Sequence, residues 1–260
     1  MFKIATYNAN SIRMRLPQIV DWLARENPDA ICIQETKVQD SEFPAAPIIA
    51  AGYTPIFRGQ KSHAGVAILC KETPTDIAYG LDDGEAPDEP RLIRAVIKGI
   101  SVVNTYVPQG RELTSDQYPY KLRWLARLKE FFARHYNPEQ PLIWTGDLNV
   151  APEPIDIYDP IGLREHVDFH PDVRAALEKI RQWGFVDIVR RHHPEEKGLY
   201  TYWDYRARTP VERKIGWRID HIWATAPLAE RSVKAWVDEA ARTSVTSPSD
   251  HTFVGAEFDL

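Results

Sequence analysis

The chain has 260 residues, 43% of them hydrophobic, and 32 Lys and Arg against 37 Asp and Glu give a formal net charge of −5. That length and apolar content support a proper core in one or two domains, while two cysteines cannot make a disulfide framework. No apolar run approaches the ~20 residues that a membrane span needs. Cys32 and Cys70 both sit in apolar strand-like runs and read as buried thiols. The first residues enter a strand at once, without the charged start and apolar stretch of a signal peptide, so a reducing, cytoplasmic setting is expected.

In chain order, Phe2-Lys3-Ile4-Ala5-Thr6-Tyr7 alternates as a strand and runs into Asn8 and Asn10. Leu16, Ile19, Val20 and Leu23 fall at helical spacing and predict an amphipathic helix ended by Asn27-Pro28. Ala30-Ile31-Cys32-Ile33 is a buried-strand run that delivers Gln34-Glu35. The segment from Asp82 to Pro90 is acidic and proline-bearing, and reads as a solvated connection remote from substrate. Leu92 to Ile97 and Ile100 to Tyr106, separated by Lys98-Gly99, predict a hairpin whose second strand delivers Tyr106 and then Gln109. Leu122, Leu125, Leu128 and Phe132 mark a second helix. Pro141-Leu142-Ile143-Trp144 reads as a short strand running into Gly146-Asp147-Leu148-Asn149. Val173, Ala176, Leu177 and Ile180 mark a third helix, opened by Pro171. Gly216 to Ile219 predicts a strand delivering Asp220 and His221, and Ser249-Asp250-His251 precedes a last strand from Thr252 to Phe258. The mixture implies two stacked sheets with helices outside.

Asp147 and Asn149 are two residues apart, so on extended chain they share a face. A carboxylate there can take or give a proton, while a neutral amide hydrogen-bonds a phosphoryl oxygen without repelling it. The same pair also fits a turn in which Asp and Asn bond their own backbone. Repetition favours the chemical reading, because six strand edges carry Asn, Glu, Tyr, Asp-x-Asn, Asp and Asp-His in turn. Glu35 is a hard oxygen donor of the kind Mg²⁺ prefers, alongside water and substrate phosphate. A helix cap or salt bridge is the competing reading for Glu35, and a strand-end turn for Asn8.

Seven segments in order are Tyr7-Asn8-Ala9-Asn10, Gln34-Glu35-Thr36, His63-Ala64-Gly65-Val66-Ala67, Tyr106-Val107-Pro108-Gln109, Gly146-Asp147-Leu148-Asn149, Trp217-Arg218-Ile219-Asp220 and Ser249-Asp250-His251. Together they resemble the exonuclease III/abasic-site endonuclease family of the endonuclease/exonuclease/phosphatase superfamily, across essentially the whole chain. The resemblance implies one catalytic domain over residues 1–260. Its fold class would be α/β, a four-layer sandwich of two stacked, mostly antiparallel β-sheets flanked by helices. It implies a metal-dependent DNA-repair nuclease that hydrolyses phosphodiester bonds at abasic sites and 3′ ends, with 3′-phosphatase action as a further option. The expected partner is double-stranded DNA, the expected state a monomer, and the expected cofactor Mg²⁺, with Mn²⁺ accepting the same oxygen ligands.

Carried residue by residue, the resemblance makes Tyr106, Asp147, Asn149, Asp220 and His251 the catalytic set. Asp147 would handle protons, Asn149 would bond the phosphate, and Tyr106 would approach the scissile phosphate. Asp220 would orient His251, itself a phosphate ligand or general base. Metal ligands would come from Asn8, Glu35 and Asp250, with Asp147, Asn149 and His251 close by. DNA contacts would come from Gln109, Arg111, Tyr202, Trp203, Trp217 and Ile219, of which Tyr202, Trp217 and Ile219 would wall a pocket for a flipped-out abasic sugar. His166-Val167-Asp168-Phe169-His170 looks like a ligand cluster, but it lies in a loop whose family counterpart contacts DNA or packs, so no second metal is expected there.

Net acidity is awkward for DNA binding, since non-specific affinity comes from Lys and Arg. Two basic clusters offset it, one of Arg206, Arg208, Arg213, Lys214 and Arg218, the other of Arg111, Lys121, Arg123 and Arg127. A modest, salt-sensitive grip is expected. The competing function is a phosphoesterase for inositol-phosphate or lipid substrates, which would share Trp144-x-Gly146-Asp147-x-Asn149 but carry Trp-x-Asp-Arg where this chain has Trp217-Arg218-Ile219-Asp220-His221. A binding-only module should have lost an acid or His position, and none is missing.

Overall fold

A computed structural model describes residues 1–260. The alternating N-terminal segment forms β1 (Phe2–Asn8), and the chain crosses through α1 (Ile12–Glu26) to β2 (Ala30–Gln34), parallel to β1. A parallel pair needs such a crossover, and a helix is its usual form. α2 (Ala45–Ala50) leads to the antiparallel pair β3 (Thr54–Gln60) and β4 (His63–Cys70). The second sheet opens with β5 (Thr75–Tyr79), followed by the hairpin of β6 (Leu92–Ile97) and β7 (Ile100–Tyr106). It repeats the crossover, with α3 (Gln117–His135) joining β7 to the parallel β8 (Leu142–Asp147). α4 (Pro171–Arg181), β9 (Phe185–Asp187), α5 (Ile188–His192) and β10 (Asp220–Thr225) complete that side. α6 (Ala226–Ala229), β11 (Ser232–Val237), α7 (Glu239–Thr243) and β12 (Val254–Phe258) return to the first sheet.

The two six-stranded sheets run β11-β12-β1-β2-β4-β3 and β5-β6-β7-β8-β10-β9. In each, only the central pair is parallel, so the sheets are mostly antiparallel, as expected. One core lies between them, with Ile4, Cys32, Val66 and Ile68 of the first sheet meeting Ile93, Val102, Ile143 and Ile222 of the second. A second core packs Leu125, Leu128 and Phe132 of α3 and Leu177 and Ile180 of α4 against Val103, Leu142 and Trp144. A third packs Ile19, Trp22 and Leu23 of α1 on Tyr7, Ile31 and Leu69. The result is helices, sheet, sheet, helices. No helix is long and apolar enough to cross a membrane.

Two strand boundaries differ from expectation. Gly216 to Ile219 is not a regular strand, and pairing begins only at Asp220. The Trp217 carbonyl is shared by the N–H groups of Thr201 and Tyr202, so a crossing loop takes the bonds a neighbouring strand would use. The last strand starts at Val254 because Thr252 is occupied by the same crossing loop, its N–H donating to the Thr201 carbonyl.

Candidate active site

Topology brings the strand-end residues to one edge of the sandwich. β1 and β2 are parallel and end at Asn8 and Gln34, while β7 and β8 are parallel with Tyr106 opposite Asp147. β10 runs antiparallel to β8, so its first residue, Asp220, pairs with Asp147. β12 runs antiparallel to β1, which brings the preceding Asp250 and His251 to the same edge. Gly146, at φ 133°, has its α-carbon so close to β7 that a Cβ would lie 2.0 Å from the Thr105 carbonyl oxygen. Only glycine fits that approach.

At the head of the cleft, Asn8 Nδ2 donates to Glu35 Oε1 (2.9 Å) and to Asp147 Oδ2 (2.8 Å). Its own Oδ1 accepts the Asn10 N–H at 3.0 Å. Asn8 therefore bridges the two carboxylates as a donor, next to the group that could hold a metal. Asp147 Oδ1 accepts the Asn149 N–H (2.9 Å), and Asn149 Nδ2 donates to the Val107 carbonyl (2.9 Å), leaving its second N–H uncommitted. His251 Nδ1 lies 2.8 Å from Asp220 Oδ2, the orienting contact expected of that pair, and Nε2 lies 3.9 Å from Asp147 Oδ2. Lys37, not singled out from sequence, places Nζ 2.7 Å from Glu35 Oε2.

Charge is crowded here. Burial, with Asp220 and Glu35 nearby, holds the Asp147 carboxyl well above the usual carboxylate range, a push that the His251 charge offsets only in part. Desolvation would also raise Glu35, but Lys37 and the Asn8 amide overcome it and hold that carboxyl low. Burial would lower His251, yet Asp220, Asp147 and Asp250 carry it up to about 10. Burial, with Glu35 and Asp147 nearby, pushes the Tyr106 hydroxyl well above its ordinary value.

Ligand atoms of Glu35, Asp147 and His251 all lie within 4.8 Å of one another, a group able to hold a metal ion. The two carboxylates supply the hard oxygens that suit a small divalent cation. The buried Asp220 Oδ1 has no hydrogen-bond partner. Asp250 stands outside that trio. Its Oδ1 accepts from Asn10 Nδ2 (2.9 Å), although the residue lines the same cleft.

The cleft has a volume of about 570 Å³ and joins this polar head to an apolar wall of Tyr202, Trp217 and Ile219, with Gln109 and Arg111 also lining it. Trp217 and Ile219 form a small cluster with Ala151, Ile157 and Phe169. His166 lies across Trp217 with ring centroids 4.5 Å apart, so the loop discounted as a metal site instead lines the cleft. Trp203 corrects its assignment to DNA contact. Tyr202 bridges to Trp217 and His251 on the cleft side, and its successor turns the other way, fully buried against Tyr200 and Val211.

The basic clusters are corrected as well. Lys121 is fully buried, and Arg127 pairs with Asp83 (2.6 Å) and Asp88 (2.9 Å), so the acidic segment folds onto α3 rather than standing free. Arg218 is buried between Asp156 (2.7 Å) and Asp187 (2.8 Å), which neutralise it and are held low by it despite their own burial. Arg206 and Lys214 pair with Asp204 and Glu239. Arg111 forms no ion pair and is exposed at the cleft.

The sequence profile of the endonuclease/exonuclease/phosphatase family matches residues 5–251. The chain belongs to that family. Among curated relatives, an exodeoxyribonuclease of Bacillus subtilis is 31% identical over 251 residues, covering 96% of each chain. An AP endonuclease from Archaeoglobus fulgidus has a structure that superposes with a TM-score of 0.97 at 48% identity over the full length of both chains. A 3′ phosphatase from Neisseria bound to a product DNA hairpin gives a TM-score of 0.95 at 35% identity, again over both full lengths. The shared family architecture is the α/β sandwich described above.

Proposed function

We propose that this chain is a metal-dependent DNA-repair nuclease that hydrolyses phosphodiester bonds at abasic sites and 3′ ends. The observation that carries the reading is the convergence of Asp147, Asn149, Tyr106 and the Asp220–His251 pair with Glu35 at the head of one cleft, facing an apolar wall. The named activities of the relatives, which include exodeoxyribonuclease, AP endonuclease and 3′ phosphatase, support the same substrate class. Abasic sugar suits the wall of Tyr202, Trp217 and Ile219, since extruding a nucleotide costs least where no base is stacked.

Each side chain has a physical task in this reading. The carboxylates of Glu35 and Asp147 would hold Mg²⁺ or Mn²⁺, which when bound supplies electrophilic charge to a phosphoryl oxygen. Asp147 exchanges a proton with the attacking water or the leaving oxygen, the duty of a positioned acid–base group. The carboxylate of Asp220 keeps His251 cationic and fixes its ring, so the imidazolium serves as a phosphate ligand that offsets the charge built up in the transition state. The uncommitted N–H of Asn149 and the Tyr106 hydroxyl donate to the same oxygens. Arg111 supplies a local grip on the backbone, and with five of the other eight cations of the two basic clusters ion-paired the affinity for DNA is modest and salt-sensitive. We infer a monomer acting on double-stranded DNA.

The deciding test is a duplex with one abasic analogue, compared with blunt and nicked undamaged duplexes, in Mg²⁺ and in excess chelator. Incision at the analogue that chelator abolishes is expected. Absence of cleavage on every DNA, with turnover of an inositol phosphate, would refute the reading.

A further inference from the structure

Three loops that carry cleft residues converge on one buried ammonium. Lys121, near the start of α3, is fully buried, and its Nζ donates to the carbonyl oxygens of Gln109 (3.0 Å), Asn149 (2.7 Å) and Val167 (3.0 Å) and to Asp168 Oδ1 (2.7 Å). These acceptors belong to the segment after β7, the segment after β8 and the segment before α4. Four acceptors thus surround three N–H bonds, and every proton of the ammonium is engaged. Asp168 supplies the counter-charge that a buried cation requires. Its Oδ2 accepts from Gln109 Nε2 (3.3 Å) and lies 3.6 Å from His166 Nδ1, so the pair also reaches two side chains that line the cleft.

The backbone at Asn149 shows why such an anchor matters. Asn149 has φ 48°, a conformation that residues other than glycine seldom adopt without outside support. Its N–H is held by Asp147 Oδ1, its amide by the Val107 carbonyl and its own carbonyl by Lys121. Lys121 provides the hold furthest from the reacting end, and with no exposed surface it cannot touch a substrate. The methylene stem is fitted too, since a Cβ on Gly110 would stand 3.1 Å from Lys121 Cδ.

Resting on the nuclease reading above, we propose that the Lys121–Asp168 pair is a positioning element for the reaction, setting the backbone of Asn149 and Gln109 and so the placement of the amide that meets the phosphate. Misplacement of a reacting group by about 1 Å can cost roughly 10²-fold in rate. Lys121→Met should therefore lower kcat by about that factor while KM changes by less than about threefold, the mark of an interaction realised in the transition state.

Lys121→Met also leaves the Asp168 carboxylate without its cation, so instability alone could silence it. The double variant Lys121→Met/Asp168→Asn removes both charges, and replacing a matched buried pair is often neutral for stability. Melting temperature, kcat and KM are measured for both on the abasic-analogue duplex. The double variant should regain most of the lost melting temperature and still show the low kcat, because three carbonyls lack their donor. Recovery of kcat together with stability would overturn the proposal, and so would a loss confined to KM. Lys121→Gln restores N–H donors without charge and should recover part of kcat relative to Met, and failure to do so at matched melting temperature would also overturn it. Wild-type protein that cleaves no DNA would overturn the nuclease reading itself, a result distinct from an active wild type whose kcat ignores Lys121.

Discussion

Replacing Asp147 by Asn keeps the shape of the side chain while removing its charge and one of its two acceptors. In the structure Oδ2 accepts from Asn8 Nδ2 at 2.8 Å and Oδ1 accepts from the Asn149 N–H at 2.9 Å. An amide can serve only one of these donors, and the other becomes a buried unsatisfied group at a cost of about 1–3 kcal/mol. Against this, the charge crowded by burial and by Asp220 and Glu35 is gone, which relieves the push that raises the wild-type carboxyl. The two effects oppose, so the net change in stability should stay within about 2 kcal/mol. The catalytic loss should be larger, roughly 10²–10⁴-fold for a positioned acid–base group, or about 3–5 kcal/mol of barrier. Single-turnover cleavage of a labelled abasic-analogue duplex at saturating enzyme measures the chemistry, with affinity from fluorescence anisotropy and unfolding followed in the same buffer. A folded, DNA-binding variant that cleaves within about threefold of wild type would remove Asp147 from proton transfer.

Excess chelator should abolish cleavage, and Glu35→Gln should raise the Mg²⁺ concentration needed for half-maximal rate, because a charged hard ligand is lost from the Glu35–Asp147–His251 group; an unchanged titration would clear Glu35. In metal-free protein, the raised His251 makes the Asp220–His251 contact fully stabilising below the unfolded value of about 6.5, and that contribution should fade as pH climbs through the folded value of about 10. The difference in urea unfolding free energy between wild type and Asp220→Asn should accordingly shrink over that window, and a pH-independent difference would contradict the assignment. Trp217→Ala should weaken incision at abasic sites more than removal of a frayed 3′ end, where less must be extruded. Melting must be measured on the same variant, since truncating a large buried aromatic can cost ~3–5 kcal/mol; equal loss of both activities in a stable variant would point to general positioning.

Local pattern in the chain was enough for the strand-end chemistry. Alternation places Tyr106, Asp147 and Asp220 next to apolar runs, and any strand that buries such a run must present its end residue at a sheet edge. The crossover helices were readable for the same reason, although α1 buries Trp22 beside Ile19 and Leu23 and leaves Val20 only partly covered. Charge pairing was not readable. Asn8 and Asp147 are 139 residues apart and Lys121 and Asp168 are 47 apart, so nothing in either segment announces its partner. Lys121 and Arg218 look like DNA-binding cations in a one-dimensional count, and only packing shows Lys121 enclosed by three backbone carbonyls and Asp168, and Arg218 by Asp156 and Asp187. Trp203 and Tyr202 are neighbours of similar chemistry, and which one meets the cleft depends on the backbone register that sets Tyr202 opposite Trp217 and His251. Hydrophobic periodicity is a property of adjacent residues, whereas the partner of a buried charge is decided by which distant loops the two sheets bring together, and that exists only in three dimensions.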